Sequence, residues 1–196
     1  MKFPIEFDVI VIGGGHAGTE AALAAARAGC NTLLLTHNIE TLGQMSCNPS
    51  IGGSAKGQVV REIDALGGAM GGLADASSLH ARFLNESKGP AVRALRQLMD
   101  KPQYARLAVE TLRAEPNLRI VAGMVEDLIV AGNRVRGVLC ADGTRWYAPQ
   151  VVLATGTFLG GKLFRGEHSE AAGRFGEAPA VGLAPTLSRL GFPTQG

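Results

Sequence analysis

Asp8-Val9-Ile10-Val11-Ile12-Gly13-Gly14-Gly15-His16-Ala17-Gly18 decides how the chain begins to fold. The β-branched run Asp8–Ile12 is too short for a helix and reads as a buried parallel strand. Three glycines break it, and an alanine-rich helix follows over Ala17–Ala28, with Gly29 as its C-terminal stop. A second strand over Thr32–Leu35 completes a βαβ unit. Strand, Gly-x-Gly-x-x-Gly and helix in that order form a dinucleotide-binding fingerprint, where the same glycines without that context would mean little. Gly13 permits the tight turn, Gly15 lets backbone approach a diphosphate, and Gly18 lets helix and strand pack closely. With Gly14, His16 and Ala17 they form the turn whose N–H groups and helix dipole hold the anion. The bland alternative is a glycine-rich turn that binds nothing.

The second strand ends unusually for such a unit. A carboxylate that takes the adenosine ribose is expected near position 36. Thr36-His37-Asn38 stands there, and the nearest acid is Glu40. Thr and Asn side chains can still bond ribose hydroxyls, while His37 also reads as an ordinary exposed loop histidine.

The bulk composition bounds the rest. The 196 residues are 46% hydrophobic and 18% charged, a globular balance, and the net charge of +2 demands no polyanionic partner. The 27 glycines cluster in loops, as close backbone approach to a ligand requires. Cys30, Cys47 and Cys140 lie too far apart to suggest a disulfide framework or a zinc site. Neither a signal peptide nor an apolar membrane span is legible, so a cytoplasmic protein with no membrane role is expected.

Further along, Thr36–Gly57 reads as a long glycine-rich loop, a length that in a compact domain points to a ligand or a lid. A short helix is predicted over Val59–Leu66, closed by Gly67-Gly68, and a strand over Ser78–Leu84. Ala91–Met99 reads as helix. Asp100 then caps another helix, with Pro102 in its first turn, that ends before Pro116. Leu118–Ala122 is expected as the third parallel strand. Val125–Val130, Arg134–Leu139 and Arg145–Tyr147 form an antiparallel meander around Gly132-Asn133 and Asp142-Gly143. Val151–Ala154 returns as a buried strand before Thr155-Gly156, and a last short helix covers about Leu183–Leu190. The chain ends without a closing element and is read as the front of a longer protein.

Three stretches carry a resemblance: GGGHAGTE (Gly13–Glu20), THNIETLGQMSCNPSIGGSAKG (Thr36–Gly57) and LNESKGPAVR (Leu84–Arg93). They resemble the glucose-inhibited division protein A family, flavoproteins that modify the tRNA wobble uridine, and the likeness spans essentially the whole chain. What it implies is an α/β fold, the Rossmann-like FAD-binding domain of the glutathione-reductase superfamily, over residues 1–196 as the N-terminal part of a longer chain. It further implies FAD as cofactor, methylenetetrahydrofolate as one-carbon donor and NADH as reductant. The partners implied are tRNA, a GTPase and a second copy in a homodimer. The product would carry an aminomethyl or carboxymethylaminomethyl group on C5 of the uridine. Val125 falls where such domains hold adenine through a backbone group. Val151-Val152-Leu153-Ala154-Thr155-Gly156 resembles the second flavoprotein signature near the pyrophosphate, and Thr155, Gly156 and Ala180 join the implied cofactor-binding positions.

Cys47 heads the glycine-rich bend, and a thiolate there would add to C6 of uridine and activate C5. A buried structural thiol is the competing reading. The family's second cysteine would lie beyond residue 196. Between Arg82 and Arg106, six Lys/Arg face two Asp/Glu, a local +4. Lys88, Arg93 and Arg96 are its candidate tRNA-phosphate contacts, against an ordinary solvated face. Leu98 and Pro102 there depart from the family's usual residues. Three alternatives stand beside this reading: a folate- and FAD-dependent tRNA uridine methyltransferase, a generic small-molecule flavin oxidoreductase, and a non-catalytic FAD-binding module.

Overall fold

The computed structural model describes residues 6–156, 159, 161–166, 168–171 and 182–192. In chain order the elements begin with β1 (Val9–Ile12), α1 (His16–Arg27), β2 (Thr32–Thr36), β3 (Ser50–Gly52), α2 (Lys56–Ala65) and α3 (Met70–Ser77). Then come β4 (Ser78–Leu84), β5 (Ala94–Met99), α4 (Lys101–Ala114), β6 (Leu118–Ala122), β7 (Val125–Ala131) and β8 (Arg134–Cys140). The chain continues through β9 (Arg145–Tyr147), β10 (Gln150–Leu153), β11 (Lys162–Arg165), β12 (His168–Ala171) and α5 (Leu183–Arg189). They divide between two compact units, Met1–Ile39 with Asn117–Gly196, and Glu40–Pro116.

The first unit is built on a parallel sheet in the order β10-β1-β2-β6. Alternation along the strands sends side chains to opposite faces. Ile10, Ile12, Leu33 and Leu35 share a core with Val125, Val138 and Cys140 of the antiparallel β7-β8-β9 meander. Val11 and Leu34, out of phase with that set, are completely buried, as are Ala22 and Ala26 of α1, which packs on β1 and β2. Helix α1 stops where its sequence says it should. Gly29, at φ 90°, donates to Ala26, and Cys30 donates to Ala25, which satisfies two otherwise orphaned carbonyls. The meander turns at the expected glycines, and Trp146 meets Phe7 edge-on at 5.9 Å while Arg119 lies over its ring at 5.2 Å.

The second unit sets the antiparallel sheet β3-β5-β4 with α2, α3 and α4. Asp100 caps α4 by accepting from the Gln103 N–H at 3.1 Å, and Tyr104, Ala108 and Leu112 form its buried stripe at four-residue spacing.

Three expectations need correction, and one helix has no counterpart in the sequence reading. Ala91–Met99 is not a helix, because Ala94–Met99 is the central strand β5. Its Ala, Leu, Arg and Met residues favour a helix in isolation, but pairing on both edges outweighs that preference of a few tenths of a kcal/mol per residue. Residues 36–57 are not one long loop, since β3 pairs with β5 and α2 already begins at Lys56. Helix α3 was not anticipated, because Gly71 and Gly72 make Met70–Ser77 a poor helix former. A Cβ at Gly71 would crowd the exposed Asp64 side chain of α2. Finally, β10 is not buried: among the described strands it is an edge of its sheet, with Val152 and Leu153 each 38% exposed.

Helix α5 is tied to the meander by one carboxylate. Asp127 Oδ1 accepts from the Thr186 hydroxyl at 2.6 Å and from Arg189 Nη2 at 3.1 Å. Burial alone would raise the Asp127 pKa, but the Thr186 hydroxyl, the Leu128 N–H and Arg189 together hold it below the ordinary value of 3.8. A lowered native pKa adds stability that is complete above the unfolded-state value and disappears as pH falls through the native one. Acid unfolding of wild type and Asp127→Asn should therefore differ most near neutral pH and converge as pH drops below 3.8. A gap that persists unchanged in acid would show that the carboxylate's charge is not what anchors α5.

Candidate cofactor site and basic sheet

The turn between β1 and α1 is built by three glycines with three different surroundings. Gly13 sits at φ 107°, and a Cβ there would run into the Ala154 carbonyl. A Cβ at Gly18 would run into the Gly13 carbonyl and lie 3.4 Å from the Ala154 Cβ. Both positions are closed by backbone. Gly15 is the opposite: it is exposed, and a Cβ there meets nothing within 4 Å. The chain is thus pulled tight at Gly13 and Gly18 and left open at Gly15.

The end of α1 suits an anion. Its cap residue is Gly15, which has no side chain to offer, and its first turn holds no acidic residue. Gly14 is buried beneath the turn, while His16 is half-buried and Ala17 exposed on the first helical turn. The sheet continues past the turn, since Gly13 donates to Leu35 and Ala154 donates to Ile12, each at 2.8 Å. Ala154 belongs to the Val151–Gly156 signature, but the sequence assigns it no role of its own. Its signal was a small residue before Thr155-Gly156, but only the strand register shows that it closes on Gly13 and Gly18.

Other expected positions lie in the same unit. Thr36 is the buried last residue of β2, with its hydroxyl donating to the Asn38 carbonyl at 3.4 Å, and its own carbonyl accepts from Gly123 of the β6–β7 turn. His37 and Asn38 are exposed just beyond it. Val125 opens β7 with its side chain buried. Thr155 is half-buried and Gly156 exposed at φ 58°. Ala180 lies outside the described residues.

In the second unit Cys47 is exposed in the bend before β3, and its carbonyl accepts from Lys101 Nζ at 3.2 Å. The buried-thiol reading therefore does not apply to it. Cys140 is the buried cysteine, and its thiol pKa is pushed up by burial, with the Asp142 carboxylate adding to the effect. Beyond Cys47 the chain turns sharply. Ala55 takes a positive φ of 64°, and the Lys56 N–H reaches the Ser54 carbonyl at 2.9 Å. Such a turn is strained for a residue with a Cβ.

The three basic candidates differ in setting. Lys88 is exposed in a short turn after β4, Arg93 lies over the Phe83 ring at 4.8 Å, and Arg96 is half-buried in β5. No helix among the described residues is long and apolar enough to cross a membrane.

Comparison with known proteins bears on the whole chain. Residues 8–195 match the model of a family described as glucose inhibited division protein A. Crystal structures of Aquifex aeolicus GidA, in two crystal forms, are 48% identical with a TM-score of 0.92, over 96% of this chain and 31% of theirs. The chain therefore spans about a third of that protein's length. A GidA-related protein from Thermus thermophilus is 25% identical with a TM-score of 0.64, over 94% of this chain and 68% of its own. PqsL of Pseudomonas aeruginosa, a probable FAD-dependent monooxygenase, shares only the fold, at 16% identity and a TM-score of 0.53 over 74% of this chain and 41% of its own. The expected Rossmann-like α/β fold is the one observed. On the match across nearly its entire length, the chain belongs to the glucose-inhibited division protein A family.

Proposed function

We propose that this chain is the FAD-binding portion of an enzyme that adds an aminomethyl or carboxymethylaminomethyl group to C5 of the tRNA wobble uridine. The observation that carries the cofactor assignment is the contrast among the three glycines, two closed by backbone and one open. Family membership supports a tRNA-modifying flavoprotein. Residues Gly13–Gly18 would hold the diphosphate, Thr36–Asn38 the ribose, and the backbone at Val125 the adenine. Thr155, Gly156 and Ala180 complete the proposed set, and residues 1–196 act as one FAD-binding portion of the longer enzyme.

FAD, when bound, supplies the redox chemistry that a one-carbon unit from methylenetetrahydrofolate needs, with NADH as the source of electrons. The chain's own contribution is a thiol and a basic surface. Cys47 is exposed, as a nucleophile must be. Its thiolate adds to C6 of uridine, the ring's electron pair moves toward the C4 carbonyl, and C5 becomes nucleophilic. After C5 has formed its new bond, loss of the C5 proton expels the thiolate. Lys88, Arg93 and Arg96 contact tRNA phosphates. The enzyme works in the cytoplasm as a homodimer with its GTPase partner.

Two variants test this in the full-length protein. Gly15→Val places a branched side chain in space that is open in the fold, at a backbone conformation valine tolerates. It should lose FAD while keeping its circular dichroism and unfolding midpoint, and FAD retained at wild-type stoichiometry would refute the assignment. Cys47→Ser should keep FAD content and tRNA affinity but lose wobble-base modification, measured by nucleoside analysis of the tRNA. Near wild-type modification would remove Cys47 from the chemistry.

A further inference from the structure

Arg82 of β4 and Arg96 of β5 are direct cross-strand partners. Opposed positions on an antiparallel pair bring Cβ atoms to about 4.5–5.5 Å, and like charges placed there destabilise the sheet. Among the described residues neither guanidinium has an ion pair or a side-chain hydrogen bond. Other arginines do have partners: Arg189 has Asp127, Arg106 has Glu110, Arg93 has Phe83 and Arg119 has Trp146. The neighbouring pairs on the same face of the sheet are His80 with Leu98 and Leu84 with Ala94, and none of these is acidic. Lys56 adds a cation nearby, donating at 3.2 Å to the carbonyl of Ser50, which pairs with Leu98.

We propose that Arg82 and Arg96 act together as a clamp on a single backbone phosphate of the RNA substrate. Two side-by-side guanidinium forks offer the donors that a phosphodiester's oxygens accept, and the anion removes the repulsion between them. Arg96 is half-buried on the central strand, whereas Arg82 is exposed on the edge strand. This setting favours an extended polyanion, whose further phosphates meet the +2 that the rest of the Arg82–Arg106 segment carries, four Lys/Arg against Glu86 and Asp100. The proposal rests on the tRNA reading above and adds Arg82 to it, with both arginines acting on one group.

The test uses full-length, FAD-loaded protein and unmodified tRNA, with Arg82→Gln, Arg96→Gln and the double variant. Each single change should weaken tRNA binding roughly tenfold, as loss of a charge-assisted hydrogen bond does. The double variant should be little weaker than the worse single one, because both side chains grip the same phosphate. The slope of log affinity against log salt should flatten by about 0.7–0.9 in total, the value for one phosphate. Without RNA, each variant should unfold at or above the wild-type temperature, since one of two repelling charges is gone. Inorganic phosphate should raise the wild-type unfolding temperature more than that of the double variant.

Additive losses with a doubled change in slope would mean two separate contacts and overturn the clamp. So would unchanged tRNA affinity, even with the phosphate effect intact, since the pair would then serve a small anion and not RNA. Lower unfolding temperatures in the free variants would assign the arginines a structural role instead. Wild-type protein that binds no tRNA would sink the functional reading itself, whereas wild-type binding with unaffected variants sinks only the clamp.

Discussion

The closeness of α1 to the turn that precedes it is the constraint on which the first unit depends. Gly18 leaves no room for a Cβ against the Gly13 carbonyl, and Gly13 leaves none against Ala154. The same contact therefore fixes a helix, the strand before it and the neighbouring strand β10. With α1 held there, Ala22, Leu23 and Ala26 are buried, and the opposite face of the sheet is free to take the meander. Burying a leucine such as Leu23, Leu33 or Leu35 adds about 1.5–3 kcal/mol, so the packing set by that turn contributes much of the unit's stability. The helix N-terminus is consequently presented at the carboxyl ends of parallel strands, where open α/β sheets bind their ligands.

How far the sequence reveals this depends on whether the signal is local. The β1–α1–β2 unit is legible because strand, glycine turn, helix and stop all agree within thirty residues. Helix α4 is legible because Asp100 and Pro102 mark its start, and the meander because Gly132-Asn133 and Asp142-Gly143 mark its turns. Strand β5 is not legible, since nothing in Ala-Leu-Arg-Gln-Leu-Met announces that β3 and β4 will pair on either side of it. Helix α3 hides for a related reason: its glycines weaken it alone, yet it packs against α4, thirty residues further along. In each case a partner distant in sequence outweighed the local preference.

The candidate site divides along the same line. Gly13, Gly15 and Gly18 could be given roles from spacing alone, and the fold has Gly13 and Gly18 closed by backbone and Gly15 open. Ala154 could not, because its part depends on strand register. Exposure separates Cys47 from Cys140, a distinction invisible in a sequence where both are isolated cysteines. Counting charges found a basic segment, but the opposition of Arg82 and Arg96 appears only once β4 and β5 are aligned. Arg93, counted with the rest, turns out to have an aromatic partner of its own in Phe83.

The central claim is that the open space at Gly15 is a diphosphate cradle at the start of α1. A crystal structure of the full-length protein grown with FAD tests it most directly. The account predicts diphosphate oxygens within hydrogen-bond distance of backbone N–H groups between Gly14 and Ala17, with Gly13, Gly18 and Ala154 packed as they are here. A diphosphate bound elsewhere, with the Gly15 surface left to solvent, would contradict it.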